Sequence, residues 1–175
     1  MQITESVVIK TPRLELLCCT KEMLEALLEN EASLANILNI NIAENWTEFG
    51  ERAFRFIYDK IIHEDAKIEW WTYLPVLKSE KMLVGSCGFK GEPERGIVEI
   101  GYEVAKSYRC NGLGTEIAEA LIKFAFRHET VLAVQAHTLA VSNESCRVLE
   151  KCGMKKIEDI NDPNDGHLWR WEIRK

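Results

Sequence analysis

From Arg109 to Thr115 the chain reads Arg-Cys-Asn-Gly-Leu-Gly-Thr. This set suits the capture of an anion. Glycines have no Cβ, so a ligand can come close to the backbone at Gly112 and Gly114. The first amides of a helix lack intrahelical acceptors, and the helix dipole adds partial positive charge at the same end. A phosphate fits such a corner. Arg109 adds a permanent cation beside it.

The flanking residues say what would hold the set in place. Ile97 to Val104 is a short, β-branched, apolar run that predicts a strand. Lys106 to Gly114 is a compact polar turn. Beyond it Ile117, Leu121, Phe124 and Ala125 recur at helical spacing on one face, with Glu116, Glu119, Lys123 and Arg127 on the other. The loop lacks the Gly-Lys-Ser/Thr ending of a nucleotide-triphosphate loop, and Ile117 stands where a dinucleotide fingerprint has its third glycine. On these residues alone, a phosphate site and a plain glycine turn both stand.

Three stretches carry a resemblance to one family. Arg109-x-x-Gly112-x-Gly114, after the strand Glu99-Ile100-Gly101-Tyr102-Glu103-Val104, resembles the acyl-CoA-binding motif of the GNAT N-acetyltransferase superfamily. Val141-Ser142-Asn143-Glu144-Ser145, followed by Val148-Leu149-Glu150-Lys151-Cys152-Gly153-Met154, is similar to its second motif. Thr11-Pro12-Arg13-Leu14-Glu15-Leu16 resembles the opening strand of the branch that acetylates ribosomal-protein N-termini. The matches come in the family's order and cover nearly the whole chain.

The resemblance implies an α/β (α+β) fold: a mixed, mostly antiparallel twisted sheet with helices on both faces and a V-shaped opening between the fourth and fifth strands. It implies acetyl-CoA as cosubstrate and direct attack by a primary amine on the thioester. It implies that Arg109, Cys110, Asn111, Gly112, Leu113, Gly114 and Thr115 cradle the pyrophosphate, with Cys110 and Leu113 lending backbone. Val104 N–H would bond the thioester carbonyl, where one such donor is worth roughly 3 kcal/mol of barrier. Asn143 would bond the pantetheine arm; its plainer role is a helix N-cap, with Ser142 able to cap instead.

The acid and base are less defined. Many members of the superfamily place a Tyr where Glu150 stands here, and the ribosomal branch often uses a Ser where Cys146 stands. A thiol titrates near 8.5, so Cys146 is a candidate acid, a small buried thiol being the plainer reading. Glu99 and Glu103 lie two pleats apart on one strand face and are candidate bases, acting directly or through water. His137 and Thr138 lie on the next strand, and Thr138 stands where some relatives have a Glu. Deprotonating an α-amine near pKa 8 costs about 1 kcal/mol at pH 7, against about 4–5 kcal/mol for a lysine. A site without a strong base therefore suits α-amines.

Composition sets the remaining bounds. At 175 residues one domain, residues 1–175, is expected. No apolar run is long enough for a membrane span, and Met1 to Thr11 lacks the core of a signal peptide, so a cytoplasmic location with no membrane partner is expected. Cys18, Cys19, Cys87, Cys110, Cys146 and Cys152 form no C-x-x-C pair, and His63, His128, His137 and His167 show no ligand spacing; thiols and no metal are expected. The net charge of −6 disfavours a nucleic-acid partner. The acceptor is a small-molecule or peptide amine, and a homodimer is a working expectation.

Along the chain, Val7 to Cys19 predicts a strand, Thr20 caps a helix to about Asn30, and Leu34 to Leu38 predicts a helical turn. Thr47 would cap a helix from Glu48 to Ile62 with Ala53, Phe54, Ile57, Tyr58 and Ile61 inward. Ile68 to Leu77, Met82 to Lys90, Val131 to Val141 and a closing hairpin of Met154–Ile160 with Leu168–Ile173 predict strands, and Asn143 to Cys152 a short helix ended by Gly153. Trp46, Trp70 and Trp71 could line an acceptor pocket. A non-catalytic acyl-CoA-binding domain is the rival reading, and a phosphate-binding module unrelated to acyl transfer the third.

Overall fold

The computed structural model describes residues 7–63 and 66–175, so positions 1–6 of the segment read above for a leader lie outside the described residues. Eight strands run in one path: β1 (Val8–Lys10), β2 (Leu14–Cys18), β4 (Thr72–Leu77), β6 (Gly85–Phe89), β7 (Ile97–Val104), β8 (Ala133–Leu139), β10 (Gly166–Arg174) and β9 (Lys155–Asp162). The short strands β3 (Asn41–Ile42) and β5 (Met82–Leu83) pair beside β4. Every pairing on the main path is antiparallel except β7 with β8.

Helices cover both faces. On one, α4 (Leu113–Phe126) and α5 (Glu144–Lys151) pack on Leu14, Leu16, Tyr73, Val98, Ile100 and Val104. On the other, α1 (Lys21–Glu29), α2 (Glu31–Leu38) and α3 (Gly50–His63) gather around Leu24, Leu34, Trp46, Phe54, Leu74 and Leu83. The predicted inward residues of α4 are all buried, and Ala118, Ala120 and Ile122 join them. Each large aliphatic side chain so buried contributes about 1.5–3 kcal/mol. The fold is the mixed, mostly antiparallel α/β sheet that the resemblance implies.

Several element boundaries differ from expectation, and four of them have a local reason. Val7 to Cys19 is two strands, because Thr11 turns the chain by accepting the Leu14 amide on its hydroxyl. Ile68 to Trp70 forms a 3-10 turn instead of the start of β4, with Trp70 buried against Phe89 and Phe124. Met82 to Lys90 breaks at Val84, where β4 changes partner from β5 to β6. Thr47 does not cap α3; its hydroxyl bonds Glu103 and the helix begins at Gly50. Thr20, Asn30 and Asn143 are the caps observed, each side chain accepting an amide of the first turn.

All six cysteines are free thiols. No helix among the described residues is long and apolar enough to cross a membrane.

Candidate active site

The site begins with a parity argument in the sheet. Ala105 donates to the Val84 carbonyl at 2.8 Å, and Lys90 to the Glu99 carbonyl at 3.0 Å. In the antiparallel register between them, ladder bonds fall on alternate residues, so the amides of Ile100, Tyr102 and Val104 face away from β6. The neighbour on that side is β8, which pairs with β7 only through Ile97–Glu99 and Ala133–Gln135. Past Glu99 the two parallel strands separate, opening a cleft of about 550 Å³ lined by Glu99, Gly101, Tyr102, His137, Thr138 and Ser145 among others. Counted by the longer strands, this is the opening between the fourth and fifth that the resemblance implies.

On the α4 side the strand leads into the glycine loop. Cys110 and Gly112 have φ of +61° and +77°. Gly112 is the N-cap of α4 and supplies no side-chain cap. Among the described residues, the amides from Cys110 to Thr115 have no protein acceptor. That row of open donors at a helix start is what a diphosphate requires. The two glycines serve different ends. Gly112 takes a left-handed conformation that other residues adopt only under strain. At Gly114 a Cβ would meet Val148 Cγ2 at 3.5 Å, an ordinary contact, so this position is not constrained in the same way.

The side chains beside the loop depart from the simple expectation. Arg109 donates from Nε to the Val104 carbonyl at 2.8 Å and from Nη2 to Glu48 at 3.2 Å, tying the end of β7 to the residues before α3. Asn111 Nδ2 donates back to the Tyr108 carbonyl at 3.4 Å, and its own carbonyl accepts Arg13 Nη1 at 2.8 Å. Arg13 and Glu116 were not expected here. Glu116 accepts the Thr11 hydroxyl at 2.6 Å, the Arg13 amide at 2.8 Å and Arg13 Nε at 2.7 Å. Burial alone would push the Glu116 carboxyl up; the Thr11 hydroxyl and the Arg13 amide and guanidinium outweigh it and hold it below the usual range. The Thr-Pro-Arg-Leu stretch was the available signal, because it sits at the turn that this carboxylate grips.

At the first turn of α5, Asn143 Oδ1 accepts the Cys146 amide at 3.1 Å, the plainer of its two roles. Cys146 is buried and lies in a chain of contacts: Trp171 Nε1 donates to Thr138 Oγ1 at 3.0 Å, Thr138 Oγ1 lies 3.6 Å from Cys146 Sγ, and the thiol donates to the Val141 carbonyl at 3.4 Å. Cys146 is not among the residues that line the cleft. Tyr102, not singled out in the sequence, does line it, with its hydroxyl donating to the Ser145 carbonyl at 3.3 Å. Burial pushes the Tyr102 phenol up, so it stays protonated at neutral pH.

Glu99, Gly101 and Glu103 project from the opposite face of β7, towards α3. The structure separates the two candidate bases. Glu99 lines the cleft, accepts from His137 Nδ1 at 2.9 Å and pairs with Lys90. Arg170 Nε donates to His137 Nε2 at 3.2 Å, which puts the ring proton on Nδ1, facing Glu99. Glu103 instead accepts the Thr47 hydroxyl and the Glu48 amide, the latter at 2.8 Å. Burial raises the Glu103 carboxyl, and these two hydrogen bonds only partly oppose it. Among the tryptophans, Trp46 and Trp70 are core residues and Trp71 faces a second hollow beneath α3.

Residues 19–155 match the family model described as the acetyltransferase (GNAT) domain. The uncharacterized N-acetyltransferase YjdG of Bacillus subtilis (strain 168) is 29% identical over 150 residues, covering 84% of this chain and 89% of YjdG. Among solved structures, an acetyltransferase of the GNAT family from Bacillus anthracis superposes with a TM-score of 0.66 at 22% identity over 96% of this chain and 98% of its own. RimL, a ribosomal L7/L12 alpha-N-protein acetyltransferase solved with coenzyme A, superposes with a TM-score of 0.69 at 15% identity over 96% and 98%. A putative ribosomal-protein-serine acetyltransferase from Vibrio cholerae gives 0.67 at 16% over 99% and 100%. At these identities the structural likeness speaks for the fold alone. The chain belongs to the GNAT acetyltransferase family, and it is an enzyme that moves an acetyl group from acetyl-CoA to an amine.

Proposed function

We propose that the β7–β8 cleft is where the transfer occurs, with acetyl-CoA entering from the α4–α5 face and the amine from the α3 face. The observation that carries this is the row of outward amides on β7, which ends at Val104 directly before the open loop. The amides of Cys110, Asn111, Gly112, Leu113, Gly114 and Thr115 hold the diphosphate, and Arg109 steadies the strand end beside them. Asn143 keeps the first turn of α5 in place along the pantetheine arm.

Val104 N–H meets the thioester oxygen and strengthens its hold as negative charge develops there, an effect worth about 3 kcal/mol. Glu99, held by His137 and Lys90, takes the amine proton directly or through one water. An α-amine with a pKa near 8 suits such a site better than a lysine side chain, whose deprotonation at pH 7 costs about 4–5 kcal/mol. Tyr102, protonated and lining the cleft, turns its single O–H from the Ser145 carbonyl to the departing thiolate. Glu103 and Cys146 take supporting roles: Glu103 anchors the residues before α3, and Cys146 the start of α5.

The RimL and Vibrio cholerae likenesses support a protein N-terminal α-amine as one acceptor class. The chain works as one cytoplasmic domain, free of nucleic acid and membrane, in a homodimer. Titration calorimetry with acetyl-CoA and assay of free CoA thiol over an amine panel test the proposal. Micromolar acetyl-CoA binding unchanged in Arg109→Glu and Gly112→Val would overturn the diphosphate assignment. Binding without thiol release for any amine would favour a sensing domain.

A further inference from the structure

The groove under α3 has a chemistry that restricts the acceptor. It has a volume of about 740 Å³ and is walled by Phe49, Phe56 and Ile57 on the helix side and by Trp71 and Cys87 on the sheet side. Phe49 and Phe56 are 59% and 55% exposed, a large apolar surface for two neighbouring rings to leave in water. Trp71 Nε1 is the buried side-chain donor that has no hydrogen-bond partner among the described residues. Arg52, Lys60 and Lys90 are the charged groups that line it, with Lys90 paired to Glu99, and the adjoining cleft is lined by Glu99, Asp162 and Asp165.

The groove and the cleft meet at Phe49, Lys90 and Gly101, which line both. Gly101 pairs with Gly88 across β6 and β7, so neither strand places a side chain over the junction. A Cβ built on Gly101 would meet nothing within 4 Å. The gap above Gly101 therefore joins the apolar groove to the amides of β7 and to Glu99.

Resting on the assignment of the cleft as the transfer site, we infer that the acceptor is a primary amine borne on a bulky apolar or aromatic group. Its apolar part fills the α3 groove and its amine passes over Gly101 to the thioester. Polyamines and aminoglycoside-like polycations are disfavoured, because each further ammonium would have to leave water for an apolar wall.

The test compares 2-phenylethylamine, ethanolamine and spermidine as acceptors, following free CoA thiol at saturating acetyl-CoA. The aromatic amine should show kcat/KM about tenfold or more above both others, the range an apolar pocket yields. Gly101→Val keeps an extended backbone and meets open space, so its melting temperature and acetyl-CoA Kd should match the parent while 2-phenylethylamine turnover falls about tenfold or more. Phe56→Ala, which removes part of the helix-side wall of the groove, should raise KM for the aromatic amine more than for ethanolamine. Spermidine or ethanolamine turned over as well as 2-phenylethylamine, or a Gly101→Val enzyme as active as the parent, would overturn the inference while leaving the transferase assignment intact. No thiol release with any amine, despite acetyl-CoA binding, would overturn both.

Discussion

Arg13 and Glu116, 103 residues apart in the sequence, meet at 2.7 Å through Nε and Oε2. Arg13 also reaches the Asn111 carbonyl, so the β1–β2 turn, the first turn of α4 and the anion loop are joined through one guanidinium. The loop's shape depends on a hairpin from the other end of the chain.

Breaking this clamp should therefore affect both stability and binding. Arg13→Ala or Glu116→Gln removes charge-assisted hydrogen bonds, expected to cost about 1–3 kcal/mol in urea unfolding. Acetyl-CoA Kd should rise severalfold by calorimetry. The double variant should cost less than the sum of the singles, because both act through one contact. The folded-state pKa of Glu116 lies below its unfolded value. Its contribution to stability is thus present above the ordinary carboxylate value near pH 4.5 and is lost as pH falls through the folded value. Glu116→Gln should flatten that acid limb.

Gly112 and Gly114 should separate on substitution. Gly112→Ala forces a side chain into φ +77°, with Arg13 Nη2 at 3.4 Å from the new Cβ. A loss of about 1 kcal/mol in stability is expected, together with weaker acetyl-CoA binding. Gly114→Ala makes an ordinary contact with Val148, so its melting temperature should stay within a degree or two of the parent. Differential scanning fluorimetry beside calorimetry checks both.

Glu99 and Glu103 should part company in kinetics. Glu99→Gln is expected to lower kcat about a hundredfold at pH 7, the scale of a general base, with acetyl-CoA Kd unchanged. Glu103→Gln keeps an acceptor for Thr47 or Glu48 and should hold kcat within a few fold.

The pH dependence of Glu103 runs opposite to that of Glu116. Its folded-state pKa is raised, chiefly by burial. The folded state thus holds this proton more tightly than the unfolded chain does, and the resulting stability is present below about pH 4.5 and lost as pH rises through the folded value. Glu103→Gln should reduce that loss, seen as a shallower decline in unfolding free energy on raising the pH from 4.5. A variant with the parent's slope would count against this carboxyl as its source.

The legible parts were those whose physics is local. β7, the glycine loop and α4 follow from β-branched residues, from glycines and from a helical stripe within thirty neighbouring positions, and the structure has them where expected. Thr20 and Asn143 announce their helices because a cap acts on its own first turn. Thr47 misled because its hydroxyl had a stronger partner in Glu103, a residue that becomes its neighbour only when α3 docks on the sheet.

What the amino-acid order settled alone was the strand–loop–helix unit within an α/β chain, since periodicity and backbone freedom need no distant partner; the sheet covered on both faces was what the resemblance implied. Tertiary structure decided which carboxylate lines the cleft, what Arg109 grips and where Arg13 lands. Those depend on strand register, on the parting of β7 from β8 past Glu99, and on charges brought together from positions far apart in the sequence.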